Sequence, residues 1–142
     1  MTKDRLISLA AGVVQEFPAV EVVHAAASAG FNATGIWCEP AIWDNANTAA
    51  VKNALAECDI VPLDIEVVWL QPDEPVDAHD KFIDIALALG ARNVLCVSSE
   101  PSDERTAQKL RHLCQRAGTD GPRIVLEFLP ITQVQSLQQA LR

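Results

Sequence analysis

The sequence predicts an α/β fold built on a parallel sheet, and three observations carry that expectation. Short apolar runs rich in β-branched residues alternate with segments of helical periodicity, giving five successive β-α units along 142 residues. Gly or Pro punctuates most of the joins between units. Polar or charged side chains recur at the C-terminal ends of the strand-like runs, at Glu39, Glu66, Ser98, Ser99 and Glu127. In a parallel α/β fold those ends share one face, the face on which active sites are built.

The first strand is expected over Leu6–Gly12, followed by a loop through Phe17-Pro18 and a helix over Ala19–Ala29 that Gly30 terminates. Ala33–Glu39 reads as the second strand, stopped by Pro40, and Thr48–Cys58 as the second helix, with Val51, Leu55 and Cys58 on one side. The longest apolar run, Ile60–Leu70, is the third strand. A loop rich in Pro and acids, Gln71–Asp77, leads into a helix over Ala78–Leu89, where Phe82, Ile85, Ala86 and Leu89 fall at i, i+3, i+4 and i+7 before Gly90. Asn93–Ser98 is the fourth strand. The helix Ser102–Ala117 follows, with Asp103 and Glu104 at its positive end. Arg123–Pro130 is the fifth strand and Thr132–Leu141 the last helix.

Composition narrows the function classes. Hydrophobic residues make up 49% and charged residues 21%, which describes one globular domain over residues 1–142. A net charge of -8 argues against a nucleic-acid backbone or an anionic membrane surface as partner and leaves a divalent cation open. No run approaches a membrane span, and the N-terminus shows no secretory h-region, so a cytoplasmic location is expected. Cys38, Cys58, Cys96 and Cys114 form no C-x-x-C pair and read as reduced core thiols. His24, His79 and His112 fall on helices, away from the strand ends. Ser98 and Ser99 have no His beside them to make a nucleophile.

The fifth strand holds the most informative residue. Arg123-Ile124-Val125-Leu126-Glu127-Phe128-Leu129-Pro130 is a near-continuous apolar run with a single carboxylate in it. Burying an unpaired carboxylate is costly, so Glu127 calls for a metal, a cation or a hydrogen-bonding ligand, or else a route to solvent. If strand alternation holds, Glu66 shares a side with Asp64 and Val68, and Glu39 with Trp37 and Gly35. Glu39, Glu66 and Glu127 converging on one rim would suit a hard cation with oxygen ligands. The same acids are equally readable as partners of Arg5, Arg92 or Arg123. Trp37, Trp43 and Trp69 suit either a sugar-binding pocket or the core.

Two architectures fit this pattern. One is an open, flavodoxin-like doubly wound sheet; the other is a partial (β/α)₈ barrel supplying five of eight units. After the first strand, Ala10-Ala11-Gly12-Val13-Val14 lacks the G-x-G-x-x-G phosphate spacing, which weakens the first.

Three motifs, in order, resemble the xylose isomerase-like TIM-barrel superfamily of sugar and sugar-phosphate isomerases, epimerases and endonuclease IV. They are Ala25-Ala26-Ala27-Ser28-Ala29-Gly30-Phe31, Ala86-Leu87-Ala88-Leu89-Gly90-Ala91-Arg92-Asn93-Val94, and Val125-Leu126-Glu127-Phe128. The resemblance implies a truncated barrel in which Glu127 is a catalytic carboxylate and a ligand of Mn²⁺, Mg²⁺ or Co²⁺. By their position at the strand ends, rather than by the resemblance, Glu66 is expected as a second catalytic acid, and Glu39, Trp37, Trp69 and Ser98 as contacts to a carbohydrate or sugar phosphate. The family's remaining ligands lie on strands six to eight, past this sequence. Endonuclease-type members place His where this chain has Glu39 and Glu66, a departure from the nuclease pattern. Exposed edges of a five-strand arc further imply a homo-oligomer or a second chain that covers them. Alternatively, the chain is a non-catalytic barrel module acting in assembly or ligand binding.

Overall fold

The protein's structure, a computed structural model, describes residues 5–142; the charged lead-in of residues 1–4 lies outside it. Five strands form one parallel sheet: β1 (Ser8–Leu9), β2 (Ala33–Trp37), β3 (Val61–Leu70), β4 (Asn93–Ser98) and β5 (Arg123–Leu126). The helices are α1 (Ala19–Ser28), α2 (Asn45–Cys58), α3 (Asp80–Leu89), α4 (Asp103–Ala117) and a short α5 (Leu137–Ala140).

The strand order decides between the two architectures. It runs β1-β2-β3-β4-β5 without a reversal, so no topological switch point exists and the doubly wound reading is set aside. Stepping always to the adjacent strand sends every crossover helix to the same side of the sheet. The core confirms it: Val23 of α1, Val51 of α2, Ile83 of α3 and Leu113 of α4 pack with Ile36, Ile65, Val68, Leu70, Val94 and Cys96 in one cluster. The result is five consecutive units of a (β/α)₈ barrel, an arc that does not close.

Local chemistry sets the element ends. The Asp44 carboxylate accepts from the Asn47 N–H, and the Asn47 side chain accepts from the Asp44 N–H. This capping box starts α2 at Asn45, ahead of the expected Thr48. Gly90 (φ 70°) ends α3 in the left-handed region, as the sequence predicts. The Ser102 side chain caps α4. The first strand is shorter than expected, because Ala11–Val13 tighten into a 3-10 turn directly after Leu9.

The fifth strand also stops early, at Leu126. After the Glu127 N–H reaches Cys96 O, the chain leaves β4 and folds back, with Gln133 and Val134 both donating to Ser98 O. The Thr132 hydroxyl, bonded to Leu129 O and Val134 O, stabilises that return, and Pro130 has no N–H to continue a ladder. Residues 132–136 are therefore loop rather than helix.

Cys38 and Cys96 are core thiols whose burial pushes both up to about 12. Cys114, expected in the core, is exposed on α4, and Cys58 is half-buried beside His24. All four are free. Among the described residues no helix is long and apolar enough to cross a membrane.

A buried ion pair ties the sheet's C-terminal end together. Lys109 of α4 donates to Glu100 at 3.1 Å and to the Gln71 carbonyl at 2.5 Å, joining the loops that follow β3 and β4. Arg105 also reaches Glu100, at 3.2 Å. Enclosure opposes ionisation of Glu100, but these cations and the Ser102 N–H hold its carboxyl below the ordinary range.

Ile65 is wholly buried at the centre of β3, so Ile65→Ala should cost about 2–5 kcal/mol through lost transfer energy and the cavity left behind. Urea denaturation should show a lower midpoint with an unchanged slope. An unaltered midpoint would mean this sheet-helix interface does not carry the fold.

Candidate active site

A carboxyl pair lies on the sheet face opposite the helices. In parallel register Gly35 stands opposite Asp64, and Trp37 opposite Glu66. A register shift at Thr34/Gly35 sets this pairing. Asp64 and Glu66, two apart on β3, project to the same side and extend over β2 where Gly35 has no side chain. A Cβ on Gly35 would fall 2.5 Å from Asp64 Oδ1, 2.9 Å from Glu66 Oε1 and 3.0 Å from the Ala11 nitrogen. No real Cβ tolerates the first of those contacts, so the glycine is the space the pair occupies.

A second bulge corrects the expected alternation on β3. Ile65 pairs with Val94 and Val68 with Cys96, which leaves one extra β3 residue between them. Val68 therefore turns to the helix side and is fully buried there, away from Glu66.

Electrostatics single out the pair. Burial raises the Glu66 carboxyl to about 7, reinforced by the Asp64 charge, an Asp64 hydrogen bond and, more weakly, Glu127; the Ala11 N–H works the other way. Burial also raises Asp64, against a hydrogen bond from Glu66. Asp64 Oδ1 is enclosed and lacks a hydrogen-bond partner among the described residues. Two carboxyls in contact with one group to spare behave as a proton-sharing pair, one member acid and the other base near neutral pH.

The other residues selected from sequence are dispersed. Glu127 sits one residue past β5 and is exposed, which is the route to solvent the sequence left open rather than a buried charge; β5 is an edge and its inner face is open. Glu39 is exposed beyond the end of β2, beside the half-buried Trp37. Trp69 is 37% exposed at the end of β3 and donates to Ser99 Oγ at 2.8 Å. Ser98 lies on the helix side, wholly buried, 2.8 Å from Thr106 Oγ1, where it holds α4 to β4. His79 directly precedes α3, on the end of the sheet that carries the strand C-termini, and is bonded to Glu74 at 2.9 Å. His24 and His112 lie between helices, against Cys58 and Asp80. Gly35, Asp64 and the Ala11 N–H belong to the site yet were not selected; a glycine inside an apolar strand was the available signal, since it marks close approach by another group.

A divalent cation does not fit the donors present. Among the described residues no three His, Cys, Asp or Glu side chains converge on a point that would hold a metal. Glu127 stands apart at the open edge, and a hard cation there would need most of its six or more oxygens from elsewhere.

No protein-family model and no curated protein matches the chain. Solved structures do. A xylose isomerase-like TIM barrel/4-hydroxyphenylpyruvate dioxygenase fusion protein superposes with a TM-score of 0.76 at 21% identity, over 94% of this chain and 23% of that one. A xylose isomerase domain-containing protein from Salmonella typhimurium LT2 gives 0.67 at 10% identity, over 92% and 53%. An AP endonuclease, family 2, from Brucella melitensis gives 0.66 at 16% identity, over 97% and 64%. The fold is thus that of the xylose isomerase-like TIM barrels. The chain spans 23% to 64% of the length of these structures.

The raised Glu66 predicts a pH dependence with a definite sign. Between the ordinary value of 4.5 and about 7 the native state binds a proton that the unfolded chain has released. Stability from this group is therefore full below pH 4.5 and is lost as pH rises through about 7. The melting temperature should fall from pH 5 to pH 8 at constant salt, and Glu66→Gln should flatten that slope. A rising profile in that window, or one that Glu66→Gln leaves intact, would contradict the assignment.

Proposed function

We propose that the chain carries a proton-transfer site of the sugar isomerase and epimerase type, acting next to a carbonyl. The observation that supports it is the Asp64–Glu66 pair seated over Gly35, with Glu66 near 7. A general base works best with a pKa close to the operating pH. In this reading the ionised member of the pair takes the proton from the carbon beside the substrate carbonyl. As that C–H bond breaks, its electron pair moves into the forming enediol, and the protonated member, Glu66 when it donates to Asp64, gives its proton to the carbonyl oxygen. Delivery of the abstracted proton to the former carbonyl carbon, as the adjacent hydroxyl gives its proton back to the donor carboxylate, completes an isomerisation. Delivery to the other face of the same carbon, as the newly formed hydroxyl gives its proton back, completes an epimerisation. Glu127, facing the same open side, raises Glu66 by its charge and is the candidate second carboxylate. Any metal role for Glu127 requires ligands from another segment, so no step is assigned to one.

The decisive experiment follows deuterium uptake from D₂O into the carbon next to the carbonyl of ketoses and aldoses by NMR. The wild-type chain should catalyse uptake, and Glu66→Gln should lower the rate by about 10²–10⁴-fold. No uptake by the wild type, or equal uptake by the variant, would remove this reading.

A second reading is favoured by the open arc itself: a non-catalytic module whose inner face and edges engage another subunit. The strands β1 and β5 leave unpaired edges, and Phe128, Ile131, Leu137 and Leu141 are exposed beyond β5. Light scattering at micromolar concentration should then show a dimer or larger species. A clean monomer would count against assembly through these edges.

A further inference from the structure

A cleft of about 340 Å³ opens at the C-terminal end of β2 between the first turns of α1 and α2. Trp37, opposite Glu66 in the sheet, forms one wall. Trp43 forms another wall; it is 9% exposed and fixed by a 2.8 Å hydrogen bond from its Nε1 to Thr48 Oγ1. The polar groups are Glu16, Glu39, Gln15 and Asn47. Pro18 begins α1 with no side chain capping it, so the first N–H groups of that helix also border the space.

Resting on the proton-transfer reading, we infer that this cleft binds a neutral polyhydroxylated substrate, a free sugar or polyol, and discriminates against its phosphate ester. Indole faces suit the apolar C–H surface of such a molecule, while the carboxylates accept from hydroxyls and the amides and helix N–H groups donate to them.

The charge balance decides against a phosphate. An uncapped helix start offers about +0.5 of an elementary charge. Glu16 and Glu39 together oppose it with two full negative charges, and among the described residues no Lys or Arg lines the cleft. The described cations nearest this end of the sheet lie outside the cleft lining. Lys81 lines a separate hollow that shares Trp43 and donates to the Pro40 carbonyl. Lys109 and Arg105 are paired with Glu100. A phosphate ester, carrying about -1.5 to -2, would therefore meet net repulsion.

The test is a titration of the ¹⁵N-labelled chain with D-fructose, D-xylose and D-ribose, and with phosphate esters of fructose and ribose. The Trp37 indole resonance, assigned with Trp37→Phe, is the readout. At least one free sugar should shift that resonance, its ester should bind at least about tenfold more weakly, and the double substitution Glu16→Gln with Glu39→Gln should narrow the gap. Equal or tighter binding of the esters, or no response of Trp37 to any free sugar up to its solubility, would overturn the inference. Glu66→Gln separates the two proposals, since it should abolish deuterium uptake and leave the Trp37 response in place. Uptake without a Trp37 response sinks the cleft alone; a Trp37 response without uptake sinks the proton-transfer reading alone.

Discussion

Five parallel strands laid side by side in chain order impose one constraint from which the rest of the molecule follows. Each crossover steps to the next strand, so α1 to α4 all cover the same face. That face holds the apolar core, and the opposite face receives only side chains and loops. In a closed barrel those inward side chains would meet across the axis. Here the arc is open, and the inner face of β5 is left to solvent, which is why Glu127 is exposed although its sequence surroundings are apolar.

The openness redistributes the chemistry. Asp64 and Glu66 lie on β3, the middle strand, so neighbouring strands flank them and raise them. Gly35 supplies the space, and the 3-10 turn after β1 brings the Ala11 N–H to Glu66. Burial, like charge and a single backbone donor thus act on one pair, the combination that tunes carboxylates toward neutral pH in proton-transfer sites. The charged residues on the helix side do a different task. Lys109, Glu100 and Arg105 compensate one another and pin the loops after β3 and β4, a structural role for charge within a few residues of the candidate site.

Trp37 links the pair to the lateral cleft. It stands opposite Glu66 in the sheet and turns part of its surface toward Trp43 and Glu39. The proposed recognition cleft and the Asp64–Glu66 pair thus share one strand end, the face on which parallel α/β scaffolds build their sites. Structural likeness to an AP endonuclease and to xylose isomerase-like proteins, at 10% to 21% identity, fixes this scaffold and leaves the chemistry to the side chains.

By itself the sequence determined the element order, the five strands, the helix stops at Gly30 and Gly90, and the convergence of acids on one end of the sheet. These are local or periodic properties, written in apolar spacing and in the backbone freedom of single residues. It also placed Glu66 among the candidates. Only the tertiary structure decided which acids are buried, because burial depends on which strands lie beside a residue. Glu127 falls on an edge and Glu66 in the middle. Two bulges, invisible to a strict alternation, moved Val68 to the core and set Asp64 opposite Gly35. Ser98 was assigned to the rim by its position at a strand end, yet side-chain direction turned it to Thr106. A pattern of residues names the strand ends; the register between strands decides which side chains meet there.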